Sequence, residues 1–190
     1  MIAIITNLFY LLIFLILLLV LILLFLWMWS AIKAKVPFIP VPNKILKDIE
    51  EALDLKDDSV LYDLGCGDGR VLAYLYKNNP KATYIGIENS LFPYILVSIL
   101  NWWRRKEYKG NIKIFKNDFF NVDLSKATHI FTYLYPNIMD DLVSKFDREL
   151  KHGTRLVSVS FHLTSKREIK VIDLKRGRYQ LTQKIYVYEF

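Results

Sequence analysis

The chain has a single cysteine, Cys66, in 190 residues. That excludes an internal disulfide and fits a reducing compartment for the main domain. Its three histidines, His129, His152 and His162, are scattered and form no cluster with a cysteine, so the donor set of a structural zinc site is missing and no metal is expected. Residues 1–32 contain no Asp, Glu, Lys or Arg, so the whole net charge of +7 lies beyond them. The start MIAIITN has no basic n-region, and no A-x-A-like site follows the apolar run, which argues against a cleaved secretory signal. Glycine is scarce as well, and three of the seven fall within residues 65–69. No repeats or low-complexity tracts occur outside the leucine-rich start.

What is present begins with Leu8–Trp29, 22 consecutive apolar residues. At about 1.5 Å per residue they make a helix of about 33 Å, enough for a hydrocarbon core of about 30 Å. Residues 1–32 therefore read as a retained transmembrane anchor in the lipid bilayer. Trp27 and Trp29 stand where an aromatic belt stands, and Lys33 and Lys35 follow at once. The positive-inside rule then puts the N-terminus out and the following domain on the cytoplasmic (or mitochondrial matrix) side. Residues 33–42 include three prolines, Pro37, Pro40 and Pro42, and read as a stiff extended connector. Residues 43–190 are ample for one globular core.

Within that domain, Asn43 is placed to cap a helix running to about Asp54, with Ile45, Leu46, Ile49 and Leu53 on one face. Strands are expected at about 59–64, 82–88, 112–116, 128–135 and 154–161. Helices are expected from Arg70 to about Asn79, from Phe92 to Lys106 and from Ile138 to Leu150. The tail EIKVIDL-KRGR-YQLTQKIYVYEF reads as two strands joined by a turn at Gly177. Strands alternating with helices, closed by a β pair, indicate an α/β sandwich with a mostly parallel sheet.

The stretch LYDLGCGDGR (61–70) places Gly65, Gly67 and Gly69 between the first strand and the next helix, with Cys66 inside the loop and Asp63 just before it. A dinucleotide loop of the G-x-G-x-x-G type would need glycine at position 70, where this chain has Arg70, and a phosphate loop would end in Gly-Lys-Ser/Thr. The acidic Asp63 disfavours a pyrophosphate and favours a cationic ligand. Glu88 ends the second strand, followed by Asn89, and a carboxylate there can accept from both hydroxyls of a ribose. Asn117-Asp118-Phe119 follows the third strand and offers a polar pair with an aromatic for adenine. A cation-favouring loop, a ribose carboxylate and an adenine pocket together describe S-adenosylmethionine. Cys66 is a small loop residue in this reading rather than a nucleophile.

With VLYDLGCGDGR and YIGIE at these places, the chain resembles class I S-adenosylmethionine-dependent methyltransferases. It looks more narrowly like the membrane-associated protein-lysine methyltransferases of the adenine nucleotide translocase and the ATP synthase c-subunit. The likeness is carried by VPFIPVPNKIL, GIENSLFPYILVSILNWWRRK, the run from NDFF to LVSVSF, and the final IYVYEF, over about residues 36–190. It implies a Rossmann-like, doubly wound, seven-stranded and mostly parallel sheet with a C-terminal antiparallel hairpin, and a switch point between the first and fourth strands. Ligands of such sheets lie outside the carboxyl ends of the strands, so Tyr133, Tyr135, Pro136 and Asn137 are expected to face the transferred methyl group. The chain lacks the Asp/Asn-Pro-Pro-Tyr sequence often found there in enzymes acting on planar nitrogens.

The expected function is a membrane-anchored methyltransferase acting on lysine side chains of a membrane protein, with no nucleic-acid partner. Two alternatives remain open. One is a methyltransferase of a lipid headgroup or hydrophobic small molecule; the other is a cofactor-binding membrane assembly factor without catalysis. The run NWWRRKEYK (101–109) has two readings, a membrane-surface contact or an ordinary helix end whose cations complement the dipole, and the second is preferred.

Overall fold

The computed structural model describes residues 2–33, 39–174 and 184–190. The chain divides into two compact units, Met1–Pro37 and Phe38–Phe190.

The first unit is one helix, α1 (Ile2–Lys33). Apolar residues surround it on all sides, so it has no stripe to bury against a protein core. Within it, Ile4–Leu26 is 23 residues long and apolar enough to cross a membrane. Phe25 stacks on Trp29 with ring centroids 5.9 Å apart. The side chains of Trp27 and Lys33, all of Lys35, and connector residues 34–38 lie outside the described residues.

The second unit is a seven-stranded sheet with helices on both faces. Its strands are β1 (Val60–Leu64), β2 (Thr83–Glu88), β3 (Ile112–Lys116), β4 (His129–Thr132), β5 (Arg155–Val159), β6 (Lys170–Asp173) and β7 (Lys184–Glu189). The order is β3-β2-β1-β4-β5-β7-β6, and every pairing is parallel except those of β7. The order reverses between β1 and β4, at the expected switch point. Among the described strands, β7 is the one that runs antiparallel to its neighbours. The expected turn at Gly177 and the start of the last strand fall in residues 175–183, outside the described residues.

Helices α2 (Leu46–Leu53) and α3 (Arg70–Asn78) cover one face through Leu46, Ile49, Leu53, Leu72 and Leu75. Helix α6 (Pro136–Glu149) covers the other through Met139, Leu142 and Phe146, which recur at helical spacing. The crossover from β2 to β3 carries α4 (Leu91–Trp103) and a single turn, α5 (Arg105–Tyr108), separated by Arg104 at φ −94° and ψ 8°. The expected helix 92–106 is therefore broken at Arg104.

Three local expectations are corrected. Asn43 does not cap α2; it opens a 3-10 turn, Asn43–Ile45, and α2 starts only at Leu46 without a side-chain cap. β4 ends at Thr132 rather than at residue 135; its pairings with β1 and β5 both stop there, opposite Leu64 and Ser158. α6 starts at Pro136, two residues earlier than Ile138, since proline at the first helical position forgoes an N–H that has no partner there.

Gly86 sits at the centre of β2, where an added Cβ would lie 2.8 Å from each of Cys66 Sγ, Ile114 Cδ1 and Leu72 Cδ1. Gly86→Ala is expected to cost about 1–3 kcal/mol in urea unfolding, the usual range for overpacking a close-packed core. Because Cys66 belongs to the glycine loop, the same substitution should also weaken cofactor binding.

Candidate active site

The residues singled out from the sequence lie at or just past the carboxyl ends of β1, β2, β3 and β4. Just past β1, Gly65, Gly67 and Gly69 all have positive φ, at 80°, 56° and 74°. Gly69 caps the start of α3, and a Cβ on it would fall 2.5 Å from Val97 Cγ2 of α4. Glycine at 69 is thus required twice, by its left-handed backbone and by the close approach of α4. The loop is pinned to β2 by Gly65 N–H and Cys66 N–H, both donating to the Ile87 carbonyl at 2.8 and 3.0 Å.

Glu88 is the hinge of the site. Its Oε2 accepts from Gly67 N–H at 3.0 Å and its Oε1 from Ser90 N–H at 2.7 Å. It is 7% exposed. One carboxylate therefore joins the glycine loop to the turn after β2. A carboxylate has about four acceptor positions, so two remain for a ligand. Asn89, next along, is exposed.

Asp63, the second acid, is 2% exposed. Its Oδ2 is buried and accepts no hydrogen bond. Burial first, and then the nearby charges of Glu88 and Asp68, push its carboxyl well above the ordinary value of 3.8. A buried acceptor without a donor is costly. A cationic ligand supplies what this group lacks, and the loop, the free acceptor positions of Glu88 and the orphaned Asp63 oxygen together fit S-adenosylmethionine.

Cys66 packs inward, and burial pushes its thiol well above the ordinary thiol range, so the group is protonated and not nucleophilic. Asp118 caps a 3-10 turn, Phe119–Asn121, through Oδ1 accepting from Phe120 N–H at 3.0 Å. Phe119 is half-buried against Phe120, with centroids 5.1 Å apart. Asn117 Oδ1 accepts from Asp118 N–H at 2.8 Å.

At the end of β4, Tyr135, Pro136 and Asn137 are exposed, and Tyr133 is half-buried against the α2–α3 core. Tyr135 stacks on Phe161, with centroids 5.8 Å apart and planes at 25°. The Tyr135 carbonyl accepts from both Ile138 and Met139 N–H at 3.1 Å. This turn therefore presents the side chains of Tyr135 and Asn137 rather than that carbonyl.

Sequence reasoning missed three contributors. Asp68 and Arg70 form a fork, with Arg70 Nη2 donating to Asp68 Oδ2 at 2.6 Å and Nε donating to both carboxylate oxygens. Arg70 Nη1 also donates to the Val41 carbonyl at 3.1 Å, tying the end of the connector to the loop. The D-x-R spacing was visible, but its distant partner was not. Phe161 carries no local signal at all. Thr132 is fully buried at the end of β4, with its Oγ1 unpartnered.

Residues 63–170 match the family described as the ANTKMT methyltransferase domain. Over 154 residues the chain is 34% identical to "Protein-lysine N-methyltransferase" of Saccharolobus islandicus (strain REY15A), covering 80% of this chain and 93% of that one. It is 28% identical over 130 residues to the human lysine N-methyltransferase of the ATP synthase c-subunit, covering 68% of this chain but only 53% of the human protein. Among solved structures, an RNA methyltransferase from Salinibacter ruber in complex with S-adenosyl-L-homocysteine aligns at a TM-score of 0.68 with 26% identity, covering 80% of this chain and 93% of that one.

Proposed function

Since this chain belongs to the ANTKMT methyltransferase domain family and its cofactor is S-adenosylmethionine, we propose that it is a membrane-anchored protein-lysine N-methyltransferase acting on a membrane protein. The observation that carries the lysine assignment is the match along nearly the whole length of the Saccharolobus protein-lysine N-methyltransferase. The anchor assignment rests on Ile4–Leu26 and on Lys33 and Lys35, which follow the apolar run in the sequence and support an N-out, C-in topology. Confining an enzyme to a bilayer raises its effective concentration toward membrane-embedded substrates.

When bound, S-adenosylmethionine supplies an electrophilic methyl group on a sulfonium sulfur. The positions of this chain's residues support the following roles. Asp63 Oδ2 would face the positive charge of the cofactor from the end of β1, beneath the glycine loop. Glu88 keeps Gly67 and Ser90 in place and offers its remaining acceptor positions to the ribose hydroxyls. Asn89 borders that subsite, and Asp118 and Phe119 line the adenine side. Gly65, Cys66, Gly67 and Gly69 shape the loop through their backbone, the Cys66 side chain facing the core.

Tyr135, Pro136 and Asn137 form the rim that the lysine must pass. A neutral lysine amine would receive the methyl group of the bound cofactor, leaving the thioether behind, and the amine proton would pass to solvent. The enzyme's main task is to orient the two partners. The stacked Tyr135–Phe161 pair supplies an aromatic face that tolerates the positive charge arriving on nitrogen, and the Asn137 side chain can accept from the amine. Tyr135→Ala is expected to lower kcat/KM about tenfold or more, whereas Tyr135→Phe, which keeps the face, should lose less. Steady-state kinetics on a membrane-protein substrate check this order.

Incubating membranes with methyl-labelled cofactor and the full chain tests the substrate class. Label is expected on lysine side chains of a membrane protein. Label confined to the lipid extract would move the assignment to a headgroup.

A further inference from the structure

Helix α4 is inverted relative to an ordinary surface helix. It carries no charged residue over its 13 positions, and its apolar side chains point away from the domain. Ile95, Ile99, Trp102 and Trp103 are 44%, 47%, 60% and 72% exposed, and Phe92 and Leu96 are 37% exposed each. With Leu91 and Leu100, 40% and 37% exposed, these positions cover roughly half of the helix circumference at about 100° per residue. Only Pro93 and Val97 of α4 are buried. Soluble domains rarely leave so continuous an apolar face uncovered.

The residues that follow identify what covers it. Arg104, Arg105 and Lys106 come directly after the two tryptophans, with Lys109 beyond. All four are exposed. The Arg105 guanidinium lies 5.4 Å from the Trp102 ring centre. An apolar helix face ending in tryptophans beneath a cluster of cations has the chemistry of an anionic lipid surface: acyl chains for the aliphatic residues, the interfacial zone for tryptophan and phosphates for the cations.

We propose that α4 lies flat in the interface of an anionic bilayer as a second membrane contact, separate from α1. The preference for an ordinary helix end at 101–109 gives way to this reading because the outward face of α4 is continuous with that basic run. α4 begins three residues after Glu88, so this docking holds the mouth of the site at headgroup level. Insofar as it concerns the approach of a substrate lysine, the inference rests on the function proposed above. The docking itself does not.

The test reads depth rather than methylation. The full chain, bearing Ile99→Cys and an environment-sensitive fluorophore, is reconstituted in vesicles of phosphatidylcholine and phosphatidylglycerol with and without brominated acyl chains. Ser144→Cys on α6, exposed on the opposite face of the sheet, is the reference position, and the unsubstituted protein shows whether buried Cys66 takes up label. Brominated lipid is expected to quench the label at 99 and not at 144. Each cation near an anionic leaflet adds roughly fivefold to partitioning, so R104Q/R105Q/K106Q should shift the docked population by on the order of 10²-fold and reduce that quenching. Retained cofactor binding shows that each variant is folded. An unquenched label at 99 in vesicle-bound protein overturns the proposal. So does a label shielded equally without brominated lipid and in detergent, the result expected if a second copy or another protein covers α4. A negative methylation assay leaves the depth measurement standing, and the converse also holds.

Discussion

Glu88→Ala abolishes tight cofactor binding, with calorimetry expected to show a loss of about two orders of magnitude or more in S-adenosylmethionine affinity. Two contributions combine. Hydrogen bonds to a charged group contribute roughly 1.5–3 kcal/mol each, and in the proposed binding mode both ribose hydroxyls would lose their acceptor. The carboxylate also holds Gly67 N–H and Ser90 N–H at 3.0 and 2.7 Å, so its removal frees the glycine loop from the turn after β2 and leaves buried donors without a partner. Glu88→Gln separates the two effects. An amide of the same length can still accept from one N–H, so the fold should survive better than in the alanine variant, while affinity falls in both. Unchanged affinity in Glu88→Ala would remove the ribose role.

Asp63→Asn is expected to act in opposite directions on stability and binding. The folded-state pKa of Asp63 is raised by burial and by Glu88 and Asp68. A raised carboxyl contributes stability that is fully present below the unfolded value, near 3.8, and is lost as pH rises through the folded value. As pH rises above 3.8, the ligand-free protein therefore loses stability to its buried Asp63 carboxyl. D63N should be more stable than the parent by about 1–2 kcal/mol without cofactor, and the difference should close as pH falls toward 3.8. A cationic ligand reverses the balance by favouring the charged form. The affinity of the parent for S-adenosylmethionine should thus rise as pH climbs toward the raised folded value, whereas that of D63N should be flat and about tenfold to a hundredfold lower at neutral pH. Thermal melts and titration calorimetry over a pH series measure both. A D63N protein that binds as tightly as the parent would remove Asp63 from the site.

The framework of this fold was readable because its signals are local. Alternating strand and helix patterns located all seven strands, and the glycine loop with Glu88 at the next strand end marked the cleft. Boundaries were less readable where they depend on a neighbour. THIFTYLY is apolar or β-branched nearly throughout, so periodicity cannot show that pairing with both neighbours, β1 and β5, stops at Thr132. α6 starts before the expected Ile138 because proline suits the first helical position.

The site divides in the same way. Asp63 and Glu88 were legible from residue type and place. The two backbone N–H groups gripped by Glu88 were not, since they belong to positions 67 and 90 and take part through the main chain alone. Tyr135 was found from its strand end, yet its stacking partner Phe161 comes from beyond β5. The outward face of α4 was hidden for a different reason. An unbroken apolar helix looks like core in a sequence, and only the structure shows which half is turned to the outside.

The central claim is methylation of lysine on a membrane protein, and mass spectrometry of membrane proteins from cells with and without this gene tests it most directly. The account predicts a lysine side chain on a membrane protein that loses its methylation when the gene is removed, regains it with the parent chain and does not regain it with the Glu88→Ala variant. An identical lysine-methylation pattern in the presence and absence of the gene would contradict it.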